Sequence, residues 1–131
     1  MLQPDNYQIN EAWIAFRLNV LPITTIADGD FNVIALMDAA SCFILDSEFV
    51  PIASSELPEL AARRLISGGK SHKQQLPKTL YVPEHLAADI LCTEAARAGI
   101  TVVRVPEEQL LVFIGEAREG FKEYSGGVGV Q

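Results

Sequence analysis

Hydrophobic positions along the chain fall into short alternating or near-continuous runs, first in strand-like and then in helix-like spacing. From Ala12 to Leu18 the sequence AWIAFRL alternates Trp13, Ala15 and Arg17 against Ile14, Phe16 and Leu18, the period of a strand with one better-buried face. Pro22 ends or edges that strand. Ala27-Asp28-Gly29-Asp30 is a turn signal, because Asp and Gly tolerate the left-handed backbone of tight reversals. Phe31 to Ile52 then reads as a hairpin, with strands at about Asn32 to Met37 and Cys42 to Ile52 folded about Asp38-Ala39-Ala40-Ser41. Both strands are rich in Val, Ile and Phe, which predicts cover on both faces and a place in the middle of a sheet. Asp46-Ser47-Glu48 interrupts the second strand at a bulge or a solvent-facing end.

Helical spacing follows. Ser54-Ser55 offers an N-cap, Pro58 suits a first turn, and Leu57, Leu60, Ala61 and Leu65 mark one helix face. Gly68-Gly69 is expected to stop this helix and to lead into a basic loop, Lys70 to Lys78. A weak repeat comes next. Thr79-Leu80-Tyr81-Val82-Pro83-Glu84 and Val102-Val103-Arg104-Val105-Pro106-Glu107 share the scheme strand, Pro, acid, helix. The intervening helix, about His85 to Ala98, should pack through Ala87, Leu91, Ala95 and Ala98 and end at Gly99, which makes a parallel crossover. Leu110 to Ile114 could be a strand, but Leu110, Ile114, Ala117, Phe121 and Tyr124 fall at helical spacing, so a helix from Glu107 to about Tyr124 is preferred. Residues 1–10 read as an irregular lead-in and 125–131 as a flexible tail. The sum is one α/β domain with a mixed five-stranded sheet, an antiparallel three-strand meander followed by βα units.

Composition narrows the class. A chain of 131 residues and 14.3 kDa, 49% apolar and 21% charged, can bury a single core without disulfides or metal. No run approaches the roughly 18 apolar residues that span a bilayer, and the first residues lack a basic-then-apolar signal, so a cytoplasmic protein without membrane partners is expected. Cys42 and Cys92 both sit in apolar segments, as reduced buried thiols do. The net charge of −7 disfavours general nucleic-acid affinity but conceals a local cation patch. Arg63, Arg64, Lys70, Lys73 and Lys78, with His72, share a segment without Asp or Glu. They are an anion-binding candidate; the competing reading is a solvated loop with charges suited to a helix C-terminus. No aromatic residue interleaves them for base stacking.

Other chemistry is thin. Gly68-Gly69-Lys70-Ser71 ends like a phosphate-binding P-loop, yet Arg64 stands where the first glycine is needed and a helix precedes it, so a helix-capping loop is the better reading. Cys42, His72, His85 and Cys92 are the soft metal ligands, and no two stand at finger-like spacing, so no metal or cofactor is expected. Asp38 and Ser41 read as turn residues; the functional alternative has them, with Glu84, lining a pocket at strand ends. A small substrate at the sheet's carboxyl edge, near Pro83 and Pro106, is a further possibility.

The stretch Val33-Ile34-Ala35-Leu36-Met37-Asp38-Ala39-Ala40-Ser41-Cys42-Phe43-Ile44-Leu45 resembles the hairpin of retroviral-type integrase and transposase cores, in which an apolar strand ends in Asp-Ala-x-Ser. The element order from Ala12 to Tyr124 is similar to that of the ribonuclease H-like fold. Enzymes of that kind hold two divalent metals between carboxylates, one of them in the middle of the first strand. Here that strand is AWIAFRL, with no carboxylate, and Pro83-Glu84 stands where the family has a second Asp. Glu107, Glu108, Glu116 and Glu119 on the last helix are acids of a common kind. The resemblance therefore implies an integrase-like scaffold without its chemistry: a non-catalytic interaction or regulatory module that engages a protein partner or a second copy of itself. The alternative is nucleic-acid or anionic-ligand binding through residues 63–78.

Overall fold

The computed structural model describes residues 2–27 and 29–128, with the side chains of 123–128 left out. Six strands and three helices are formed: β1 (Ala12–Arg17), β2 (Ile23–Thr24), β3 (Asp30–Asp38), β4 (Ile44–Pro51), α1 (Glu59–Lys73), β5 (Thr79–Pro83), α2 (Asp89–Arg97), β6 (Thr101–Val105) and α3 (Leu111–Val128). β3 pairs antiparallel with both β1 and β4, while β1–β5 and β5–β6 are parallel. This is the expected meander continued by βα units. The sheet has one strand more than expected, because the two-residue β2 pairs with Phe31 and Asp30 alongside β1's edge of β3.

Two apolar layers sandwich the sheet. Trp13, Ala15, Leu36, Leu80 and Val82 meet Ala61, Ala62, Leu65, Leu91 and Ala95 of α1 and α2 on one face. Ile14, Phe16, Val33, Ala35 and Met37 meet Leu110, just before α3, and Phe113 and Ile114 of α3 on the other. β1 is therefore buried on both faces from Ala12 to Phe16, not on one as its alternation suggests. β4 departs in the opposite sense. It is an edge strand with alternating exposure, and Phe49 is 63% exposed against Phe31. The register shifts between Leu36 and Met37, opposite Leu45, so a bulge adjoins Asp46 as expected.

Several local boundaries move for identifiable reasons. Gly68-Gly69 does not stop α1, which runs to Lys73 and ends on Gln74 at φ +64°. The glycines serve packing instead. A Cβ on Gly69 would lie 2.7 Å from Leu36 Cδ2 and 2.8 Å from Trp13 Cη2, and one on Gly68 would fall on the Asp46 carboxylate. Lys70, His72 and Lys73 are thus the last turn of a helix and not a loop, and the P-loop-like sequence has neither the loop of a phosphate site nor that of a cap. The N-cap is Pro58, not Ser54 or Ser55, and Leu60, assigned to the buried face, is 66% exposed while Ala62 and Ile66 are buried.

α2 begins four residues later than expected, and Ala87 and Ala98 are exposed. Arg104 draws the carbonyls of Pro83 and Leu86 to itself at 2.7 Å each, and the Ile90 amide donates to Glu56 Oε1 at 2.7 Å, so residues 84–88 form a held loop. Gly99, at φ +90°, ends α2 as expected. The last segment is helical from Leu111, after a 3-10 turn at Glu107–Gln109; α3 continues to Val128, so 125–128 of the expected tail are helical and 129–131 lie outside the described residues. The lead-in is anchored rather than loose: Tyr7 bonds the Tyr81 hydroxyl at 2.9 Å, and burial with that bond pushes the Tyr7 phenol up. In the turn signal at 27–30, Gly29 has φ +82° and Asp28 lies outside the described residues. No helix among them is long and apolar enough to cross a membrane.

Candidate functional site

The residues singled out in the sequence do not converge. Asp38 is fully buried at the end of β3, opposite Trp13. Its Oδ2 accepts from the Ser41 amide at 2.9 Å and hydroxyl at 2.7 Å, and its Oδ1 from the Asn10 amide at 2.7 Å. Asn10, at φ +64°, in turn accepts from Trp13 Nε1 at 2.6 Å. Asp38 and Ser41 thus build the turn and seat the buried indole. Cys42, at φ +59°, lengthens that turn, and β4 begins only at Ile44. Glu84 lies at the other end of the sheet, on a shallow depression beside His85, Glu107 and Glu108.

The basic segment is partly neutralised. Arg63 pairs with Glu59 and, at 2.9 Å, with Glu94, which Arg97 also bonds at 3.0 Å. Arg64 bonds Glu48 at 2.7 Å. The hydrogen bond from Arg63, aided by the Arg63 and Arg97 charges, holds the Glu94 carboxyl below the usual glutamate range against its burial. Lys70, Lys73 and Lys78 are the remaining cations. Both cysteines are free thiols that are half-buried, not fully buried as expected, against separate core clusters, and each is pushed up mainly by burial.

A deeper site forms at the carboxyl ends of β1 and β5. Their pairing ends at Ile14 and Tyr81, while β5 stays paired with β6 to Pro83 and Val105. The chain after β1 passes through β2 to β3 and that after β5 leads to β6, on opposite sides, and between such strands an open sheet leaves a crevice. The cavity there has a volume of about 380 Å³, within the roughly 300–1,000 Å³ common for small-molecule sites. Ile34, Val50, Leu57 and Leu91 line it with apolar side chains; Arg17, Asn32, His85, Glu107 and Arg118 supply polar groups.

Arg118, only 16% exposed, organises the polar side. Its Nε and Nη2 donate to the Arg17 carbonyl at 3.0 and 2.9 Å, and Nη2 also donates to Glu107 Oε1 at 2.7 Å. The Arg118 hydrogen bond is the chief reason the Glu107 carboxyl lies below the usual range; burial opposes it, and the charges of Arg118, His85 and Arg17 assist. His85 Nε2 stands 3.9 Å from the same Glu107 oxygen. Among the described residues Arg17 reaches only the Val20 carbonyl, at 3.4 Å. Sequence reasoning pointed to this edge through Pro83 and Pro106. It missed Arg17, Arg118, Asn32 and His85 as a group, since nothing in their spacing signals that they meet.

No known protein-family profile matches the chain, and no curated protein matches it. Among solved structures it is similar to the catalytic core domain of BIV integrase (crystal form I), with a TM-score of 0.56 and 12% identity over 87% of this chain and 68% of that one. The two-metal chemistry implied by such a fold does not fit the residues present. β1 carries no carboxylate, Glu107 is committed to Arg118, and among the described residues no three His, Cys, Asp or Glu side chains converge on a possible metal position. Two guanidiniums at the same edge would repel a divalent cation. The backbone architecture is nonetheless that of the ribonuclease H-like fold, with a mixed sheet, three helices and an integrase core as its structural neighbour.

Proposed function

We propose that this domain is a non-catalytic binding module, of interaction or regulatory type, that works through the cleft at the carboxyl ends of β1 and β5. One observation carries the reading. At the sheet edge where the resemblance to integrase cores would put metal-binding carboxylates, this chain places Arg17 and Arg118 and ties up Glu107 between Arg118 and His85. Such a site suits recognition of a ligand and not activation of water on a metal. The alternative, nucleic-acid binding through residues 63–78, draws less support, because Arg63 and Arg64 are engaged by Glu59, Glu94 and Glu48.

The test is direct. Purified protein incubated with DNA and with RNA in Mg²⁺ or Mn²⁺ should leave both intact. Metal-dependent cutting that Glu84→Gln abolishes would overturn the reading. Any nucleic-acid binding through the lysines should weaken steeply with salt, since phosphate contacts release counterions.

A further inference from the structure

We infer that the cleft takes a small organic acid, one carboxylate on a compact apolar body, and this rests on reading the domain as a binding module at that site. The floor fixes the body. Ile34, Val50, Leu57 and Leu91 are all buried yet border the cavity, so an apolar group seated there is removed from water on several sides.

The rim fixes the head group. Of the two carboxylates at the mouth, Glu107 is charge-paired with Arg118, and Glu56 already accepts the Ile90 amide on one oxygen. The donors are less engaged. Among the described residues Arg17 spends one long bond on Val20 and keeps its other N–H groups. Asn32 adds a second donor whose orientation is fixed from behind. Asn19 accepts the Val33 amide at 2.8 Å and donates to the Leu21 carbonyl at 2.8 Å, so its Nδ2 also meets the Asn32 oxygen, at 2.9 Å. The amino end of Asn32 is then the end left for the cavity that this residue lines. A planar guanidinium and an amide donor lining one cavity match a carboxylate, which accepts two parallel bonds from a single fork.

The experiment follows amide NMR shifts of the full chain during titration with 3-phenylpropionate, octanoate, neutral 3-phenylpropionamide and inorganic phosphate. The two acids should saturate and shift amides around Asn32, Leu57 and Ala88, with the amide at least about 10-fold weaker, as loss of a charge-assisted bond entails. Arg17→Met should weaken acid binding by about 10-fold and erase the preference over the amide; the carbonyl that Arg118 needs is retained. Ala87→Phe, at an exposed lining position, should block all organic ligands. Equal binding of acid and amide, acid-induced shifts confined to other surfaces, phosphate binding as tightly as the acids, or no acid saturation would each overturn the inference. The two proposals fail separately: metal-dependent cutting removes the non-catalytic module, whereas an amide that saturates the cleft as well as the acid removes only the ligand class.

Discussion

Arg118 on α3 donates two hydrogen bonds to the main-chain carbonyl of Arg17 at the end of β1, across 101 positions of sequence. That carbonyl lies beyond the last β1–β5 pair, where no strand remains to satisfy it. The same guanidinium bonds Glu107 and sits 6.0 Å from the centre of the Phe16 ring. One side chain thus closes the splayed end of the sheet and sets one wall of the cleft.

Removing it should be costly. Arg118→Met leaves the Arg17 carbonyl to solvent and the half-buried Glu107 carboxylate without its partner, and urea denaturation should report a loss of about 1–2 kcal/mol. Arg118→Lys should recover only part, because an ammonium cannot span both acceptors as the planar fork does. A loss below about 0.5 kcal/mol for the Met variant would show that water replaces these bonds.

Acid should expose the same node. The folded pKa of Glu107 is lower than its unfolded value, so the folded state binds fewer protons there. Its contribution to stability is complete above the ordinary glutamate value of about 4.3 and is lost as pH falls through the lower, folded value. Glu107→Gln should flatten the wild-type fall in stability between about pH 5 and pH 3; an unchanged slope would place the acid sensitivity elsewhere.

The two adjacent glycines of α1 should respond differently to alanine. Helix propensity alone favours both substitutions by up to about 1 kcal/mol. At Gly69 the new methyl meets the Trp13 ring and Leu36, and the overpacking should win by about 1–3 kcal/mol. At Gly68 the obstacle is the carboxylate of Asp46, a side chain on the edge strand that can turn outward, so the cost should be smaller. Thermal unfolding of the two variants decides between a packing role and a helix-stopping role.

Asp38→Ala should destabilise by about 3 kcal/mol, because three donors from Asn10 and Ser41 lose their acceptor in a buried site. It should leave acid binding unchanged, since Asp38 lies at the opposite end of β1 from the cleft. A binding defect in a folded Asp38 variant would contradict this separation.

The sequence by itself determined the order of the major elements, the antiparallel hairpin, the Gly99 stop and the helical character of the segment after Leu110, because period and punctuation are local properties. It also determined the turn role of Asp38 and Ser41, whose short side chains bond the backbone beside them. Tertiary structure alone decided what depends on neighbours distant in sequence. The glycines inside α1 are packing residues and not a stop, because Trp13 and Leu36 occupy the space a side chain would take at Gly69 and Asp46 the space at Gly68. α2 starts late because Arg104 and Glu56 capture the groups that would have formed its first turn. Arg17, Asn32, His85, Glu107 and Arg118 come from a strand end, the paired strand β3, a loop, a 3-10 turn and a helix, and the splaying of β1 from β5 gathers them around one cavity.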